Sequence, residues 1–291
     1  MLNTASKIWT FFFCLTVIFV PIKMTQAAEF SRTQLVFGDV PFTITIDCKC
    51  SSDKAFNLIE NGFRRVAEMN RIFSTYDAES EISRVNAASK NGGSMRVSRH
   101  FSRVLQAALD LWRETQGAFD PTFEMVRPDA AAIQLRGRRI FFTHADLRIN
   151  PTGLVKGYTV DRVMEALKRN PRVEFALVAG SGDIAVYDRS GACHNVALKN
   201  PSRLRRNDLL HVTLCNQSVS TSGFYERGRH IVDTGGGGAE HLQVSVVADT
   251  TMISDGLDNA FMFMPLPQIG ATLKKYPGTR VIVMEKNGRV R

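Results

Sequence analysis

Asp255, Asp258 and Asn259 stand at i, i+3 and i+4 in the run Ser-Asp-Gly-Leu-Asp-Asn-Ala at 254–260. On a helix that spacing places all three on one exposed face. Converging side-chain oxygens are what a hard divalent cation requires, and a helix start also favours acids through its dipole. A second candidate is Ile149 to Arg162, Ile-Asn-Pro-Thr-Gly-Leu-Val-Lys-Gly-Tyr-Thr-Val-Asp-Arg. It reads as the entry to a helix, with Thr152 or Asn150 as cap and Pro151 before or inside the first turn. Gly153 and Gly157 let backbone approach backbone or ligand closely. Lys156, between them and near the positive end of the helix dipole, makes an anion site. The GxxxxGK[ST] pattern is absent, so this is not a Walker P-loop.

The elements that must hold these residues follow from hydrophobic periodicity. Asp53 to Asn70 is an amphipathic helix with Ala55, Leu58, Ile59, Phe63, Val66 and Met69 on one stripe. Ser98 to Gly117 is another, capped by Ser98 and ended by Gly117. Leu154 to Lys168 and Met252 to Phe263 are two more. Residues 34 to 50 alternate as a strand pair, or as one strand bent at Gly38 to Pro41. Phe175 to Val178 and Ile184 to Tyr187 are strands joined by Gly180-Ser181-Gly182; Leu209 to Cys215 and Leu242 to Ala248 are two more. Arg280 to Arg291 is a hairpin turning at Asn287-Gly288. Clustered strands with helices outside make an α+β fold. No repeat, low-complexity tract or flexible linker divides it.

Residues 1–27 read as a secretory signal peptide: Lys7, an apolar run of 12 residues from Trp9 to Val20, then Thr25-Gln26-Ala27 before Ala28. That run is short for a membrane span, and no later stretch would span one. Export, to the periplasm, is the expectation, with one compact unit from 28 to 291. Net charge is +9, and removing Lys7 and Lys23 leaves +7 on the exported chain. A diffuse basic surface favours anionic ligands. With no nucleic-acid module or interleaved aromatic and basic residues, nucleic acid is not the expected partner. Cys48, Cys50, Cys193 and Cys215 permit two disulfides, with three possible pairings. Cys48 and Cys50, two apart in a strand, share a face, which favours bonds elsewhere over a bond to each other. No second closely spaced Cys/His pair supports zinc.

Seven segments, in order, resemble the ApbE family of FAD:protein FMN transferases from about Phe37 to Met264. They are Phe73 to Asp77 with Ser80 to Asn86 (FSTYD, SEISRVN), Gly117 to Thr122 (GAFDPT), the Ile149 to Arg162 stretch, Ala176 to Ile184 (ALVAGSGDI), Ser220 to Arg227 (STSGFYER), His230 to Asp233 (HIVD) and Ser254 to Ala260. The resemblance implies an ApbE-like, T-fold-like arrangement of mixed sheets with packed helices. It also implies a Mg²⁺-dependent enzyme that attaches FMN from FAD to a Ser or Thr of a partner protein and releases AMP.

On that resemblance His230 is the general base. Tyr76, Ala118, Phe119, Asp120, Asn150, Lys156 and Val232 contact FAD. Gly153, with Val155 in the same turn, joins Asp255, Asp258 and Asn259 at the metal. Three departures stand out. Asn150 replaces an Asp, Asn259 replaces a common Thr, and Asp233 leads into Thr234 and the glycines 235–238 where the family has P-x-T-G. The segment from Pro128 to Leu147 is also short for the family. An FAD-binding protein without transfer, or an FAD pyrophosphatase using water, is the alternative these departures keep open.

Overall fold

The structure is a computed structural model describing residues 29–90, 92–125, 127–201, 209–223 and 241–291. The expected signal peptide therefore lies outside the described residues. So do His230, Val232 and glycines 235–238.

Alternating residues at the start of the chain form strands β1 (Glu29–Val36) and β2 (Val40–Cys48), with Phe37 and Gly38 in the left-handed region turning the chain between them. The predicted stripe becomes α1 (Ser52–Phe73), which buries Ala55, Ile59, Phe63, Val66 and Met69. The SEISRVN segment is itself a helix, α2 (Glu81–Ser89), capped by Ser80. Strands β3 (Gly93–Arg96), β4 (Ile133–Arg136) and β5 (Arg139–Phe142) make a small sheet around α3 (Arg99–Glu114). As expected, Ser98 caps α3, and Gly117 follows it with φ +90°.

Helix α4 (Thr152–Lys168) leads into β6 (Val173–Gly180) and β7 (Asp183–Asp188). Then come β8 (His194–Lys199), β9 (Leu209–Leu214), β10 (Ser218–Gly223) and β11 (His241–Ala248). Helices α5 (Thr251–Phe261) and α6 (Leu266–Leu273) and strand β12 (Arg280–Glu285) complete the described chain.

One seven-stranded antiparallel sheet, β1-β2-β6-β7-β10-β11-β12, runs through the molecule. Its strands show the period of two. Ala176 and Val178 of β6 pack with α1 and α4 against Phe42, Ile44 and Ile46, while Phe175, Leu177 and Ala179 face the β8–β9 ribbon. A third core gathers α2, α3, α5 and the start of α4. The sheet thus lies between a helical layer and a two-stranded ribbon.

The cysteines correct one expectation: Cys48 bonds Cys50, and Cys193 bonds Cys215. The strand argument fails because β2 ends at Cys48. Its register against β6 shifts between Asp47 and Cys48, and the Cys50 N–H donates to the Cys48 carbonyl at 2.8 Å. That turn brings the two Cα atoms to 5.3 Å, within disulfide reach. Cys193 and Cys215 flank β8 and β9 and close the ribbon at its open end.

Candidate functional site

The start of α4 is held by two of the sequence motifs. Asn86, on α2, clamps the backbone at Ile149 with both ends of its amide: Nδ2 donates to the Ile149 carbonyl at 2.9 Å and Oδ1 accepts from the Ile149 N–H at 2.8 Å. The Asn150 N–H donates to the Pro121 carbonyl at 2.6 Å. Asn150 Oδ1 accepts from the Thr152 N–H at 3.1 Å, satisfying one of the orphan donors of the first helical turn.

From there α4 runs against α5 with almost no space between them. The Gly157 N–H donates to Asp255 Oδ2 at 2.9 Å, and a Cβ at 157 would stand 2.4 Å from the Thr251 carbonyl oxygen. Only glycine allows that approach. One turn further on, Asp161 accepts from the N–H groups of Thr251 and Met252, at 2.8 and 2.9 Å. The two helices are therefore joined by backbone-to-carboxylate bonds as well as by apolar contact.

Lys156 projects from this clamp toward a buried acidic floor. Its Nζ donates to Asp183 Oδ2 at 2.7 Å and to Asp255 Oδ1 at 3.1 Å. Asp183, Asp255 and Asp258 are each only 1% exposed. The expected exposed face of α5 is therefore wrong: that face is covered by α4 and β10. Burial alone would lower the Lys156 pKa, but Asp183 and Asp255 outweigh it and hold the ammonium charged well above its usual range. Burial, and then the like charge of Asp183, pushes Asp255 up to about 7 against the pull of Lys156. Burial together with Asp255 and Asp183 raises Asp258 too, opposed by Lys156 and a hydrogen bond from Ser222. Three carboxylates face one ammonium, so this floor can take a cation beside Lys156, and with that charge balanced Lys156 is left to face an anion.

Asn259 shows where that cation would fit. Its Nδ2 lies 2.7 Å from the Asp255 carbonyl, 3.2 Å from Asp255 Oδ1, 3.1 Å from Asp258 Oδ1 and 3.4 Å from the Gly153 carbonyl. An amide carrying two hydrogens sits among four oxygens. The sequence reading had Asn259 offering its carbonyl oxygen; here the amide nitrogen turns inward because every near neighbour accepts. Among the described residues no group of three or more His, Cys, Asp or Glu side chains is placed to hold an ion. A hard cation would draw on mixed oxygen donors from Gly153, Asp255, Asp258 and Asn259, whose chemistry suits one. Turning the Asn259 amide over would supply its oxygen.

Above this floor opens a cavity of about 500 Å³, in the size range of cofactor sites. Tyr76, Ala118, Phe119, Asp120, Asn150, Gly153, Val155, Lys156 and Asn259 all line it. The structure thus brings these nine predicted site residues together in one space, with Asp255 and Asp258 directly beneath. Tyr76 is 91% exposed, at the rim, with its ring free to close on a planar ligand. Asp120 is buried and braces its own turn: Oδ1 accepts from the Thr122 N–H at 2.7 Å and from its hydroxyl at 2.5 Å. Burial raises the Asp120 carboxyl despite these bonds.

Sequence reasoning missed Asp183, although it lay inside the quoted Gly-Ser-Gly-Asp-Ile segment. It also missed Ser181, Thr221 and Ser222, which line the far wall, and Glu124. No motif marked Glu124.

The model of the ApbE family matches residues 39–128 and 123–283. Among curated proteins, the FAD:protein FMN transferase of Treponema pallidum (strain Nichols) is 22% identical over 318 residues, spanning 91% of this chain and 87% of that protein. The FAD:protein FMN transferase of Haemophilus influenzae is 24% identical over 241 residues, spanning 68% of this chain and 69% of that protein. Among solved structures, the apo form of the Pseudomonas stutzeri flavinyl transferase ApbE superposes with a TM-score of 0.77 at 21% identity, covering 92% of this chain and 94% of that one. The apbe protein of Thermotoga maritima gives a TM-score of 0.77 at 19% identity, covering 91% and 96%. At these identities the structural likeness speaks for the fold.

Proposed function

The chain belongs to the ApbE family, and from that premise we propose that it is an FAD:protein FMN transferase. In this reading it moves FMN from FAD to a Ser or Thr hydroxyl of a partner protein and releases AMP. The observation that carries the reading is the cavity with Lys156 at its floor, held by Asp183 and Asp255 beside the oxygen cluster around Asn259. The curated relatives are FAD:protein FMN transferases by name, which supports the substrate and the acceptor class.

In the reaction the acceptor hydroxyl attacks the phosphorus on the flavin side of the pyrophosphate. A new P–O bond forms to the acceptor, the bond to the AMP phosphate breaks, and the hydroxyl proton passes to a base. His230 is assigned as that base from its motif. A hydroxyl is a weak nucleophile near neutral pH and needs such a group within reach. Lys156 lies a third exposed at the cavity floor and presents its charge to the phosphates, while Asp183 and Asp255 fix its direction. Phe119, Ala118 and the rim Tyr76 supply the apolar and aromatic wall for a ring system. Mg²⁺, held by Gly153, Asp255, Asp258 and Asn259, would neutralise charge developing on the phosphates.

The protein is proposed to act after export, in the periplasm. The apolar run near the start supports this, as do two disulfides of a kind that persists in oxidising compartments. Among the described residues no helix is long and apolar enough to cross a membrane.

The test is to incubate protein, FAD, Mg²⁺ and a peptide or protein bearing an acceptor Ser or Thr, and to follow acceptor mass and AMP together. The expected result is an acceptor heavier by one FMN, in step with AMP, and lost in His230→Ala while FAD still binds. AMP without a labelled acceptor would instead identify a pyrophosphatase. FAD recovered intact would leave a binding protein.

A further inference from the structure

The cavity wall carries an acid that no motif predicts. Glu124 lines the cavity beside Asn150, and its Oε1 accepts from Asn150 Nδ2 at 2.5 Å. Its Oε2 lies 3.1 Å from Nε of Arg148, a mostly exposed side chain. Asn150 is fully employed. Its oxygen takes the Thr152 N–H at the start of α4, and its amide nitrogen reaches Glu124. An Asp at 150 would keep the first bond, since a carboxylate also accepts at a helix start. It would lose the second and set two carboxylates against each other at hydrogen-bond distance, where both do not stay ionised. An acid at 124 and an acid at 150 are therefore alternatives.

From this we infer that Glu124 is a specificity-determining residue of the site, the position from which the wall presents its acid, and that Asn150 is its holder. The inference rests on the reading of the cavity as the FAD site. An ionised carboxylate only accepts. With its charge balanced by Arg148, it takes a hydrogen-bond donor of the dinucleotide, a hydroxyl, an amino group or an imide N–H, while the pyrophosphate is left to Lys156 at the cavity floor. The cavity is thereby polarised. An acceptor lies on one wall and the Lys156 ammonium at the floor, so FAD enters in one orientation.

The experiment is a double-mutant cycle with Glu124→Gln, Asn150→Asp and the two combined. FAD, AMP and FMN affinities are read by titration, and Tm is read without ligand. Glu124→Gln is expected to weaken FAD about tenfold, the loss of one charge-assisted hydrogen bond. Weakening of AMP or of FMN alongside identifies which half carries the donor. Asn150→Asp is expected to weaken FAD and lower Tm. The double variant should recover Tm, because the amide introduced at 124 donates to the carboxylate introduced at 150, while FAD stays about tenfold weaker without a carboxylate at 124. FAD affinity unchanged in Glu124→Gln, or Tm losses in the double variant that simply add, would overturn the assignment. A wild-type protein that binds no FAD would overturn the flavin reading and the role of Glu124 in it, while the ligand-free Tm cycle would still decide whether 124 and 150 act as a pair.

Discussion

Lys156 is the residue on which charges of both signs meet. It is anchored by two carboxylates it cannot leave cheaply, since either would then be buried without its partner. Asp255 has three contacts: the Lys156 ammonium, the Gly157 N–H and the Asn259 amide. Asp255→Asn keeps the shape and an acceptor for Gly157 but removes the charge. FAD:protein transfer at saturating Mg²⁺ is expected to fall about 100-fold or more, the scale of losing a charged contact to a catalytic cation. Near-wild-type turnover in Asp255→Asn, with half-saturation by Mg²⁺ unmoved, would remove Asp255 from the metal. Much of this site was legible before the structure, because glycines flanking a lysine and acids at helical spacing carry their geometry locally. Asp183 was not legible, since its partner is 27 positions away along the chain. Glu124 was not either, because an isolated acid in a loop says nothing about which amide will face it.

At the level of elements, the contact of α4 with α5 depends on one missing methyl group. Gly157→Ala places a Cβ 2.4 Å from the Thr251 carbonyl oxygen and 2.8 Å from Asp255 Cβ, backbone and a locked side chain that cannot swing away. Urea unfolding should report a loss of about 2–3 kcal/mol, the scale of overpacking a core. A loss under about 0.5 kcal/mol would mean the helices do not pack this closely.

A second prediction concerns the turn that leads from β7 into β8. Asp188 Oδ2 lies 2.8 Å from His194 Nε2, while its Oδ1 accepts from the Ser190 N–H at 2.9 Å. Burial pushes its pKa up, but hydrogen bonds with Ser190 and His194 outweigh burial, so the native value lies below the usual one. A depressed carboxylate stabilises the fold above its unfolded pKa, about 3.9, and that contribution is lost as pH falls through the native value. The Tm gap between wild type and Asp188→Asn is expected to be open at pH 7 and to close as pH falls below the usual carboxylate range. A gap independent of pH would show that the ionised carboxylate is not what holds the turn. Helices with strong stripes, α1 and α3, were readable from sequence to within a turn. Helix α2 was not assigned, because nine residues give too few periods to show a face. The Cys48 to Cys50 pairing was misread because strand alternation was extended to Cys50, two residues past the end of β2.

For the whole molecule, the α+β class followed from segments of period two lying among segments of helical period. The strand order did not, because antiparallel neighbours such as β7 and β10 are chosen by packing across the sheet and not by adjacency in sequence. Nor did the role of the β8–β9 ribbon as a cover for the second face of the sheet, which rests on Val196, Leu198, Val212 and Leu214 meeting Phe175 and Leu177. The clamp between α4 and α5 has a further consequence when the chain is seen as something made in time. Gly157 and Asp255 are 98 positions apart, and every strand from β6 to β11 lies between them. On a ribosome Lys156 and its glycine emerge long before Asp255, which receives them both. Until α5 arrives, α4 has no partner for its close-packed face and the cavity has no floor. The centre of the site is thus among the last parts of the molecule to exist, and a nascent chain stalled before residue 251 would hold six of the seven motifs without the α5 acids that complete the site.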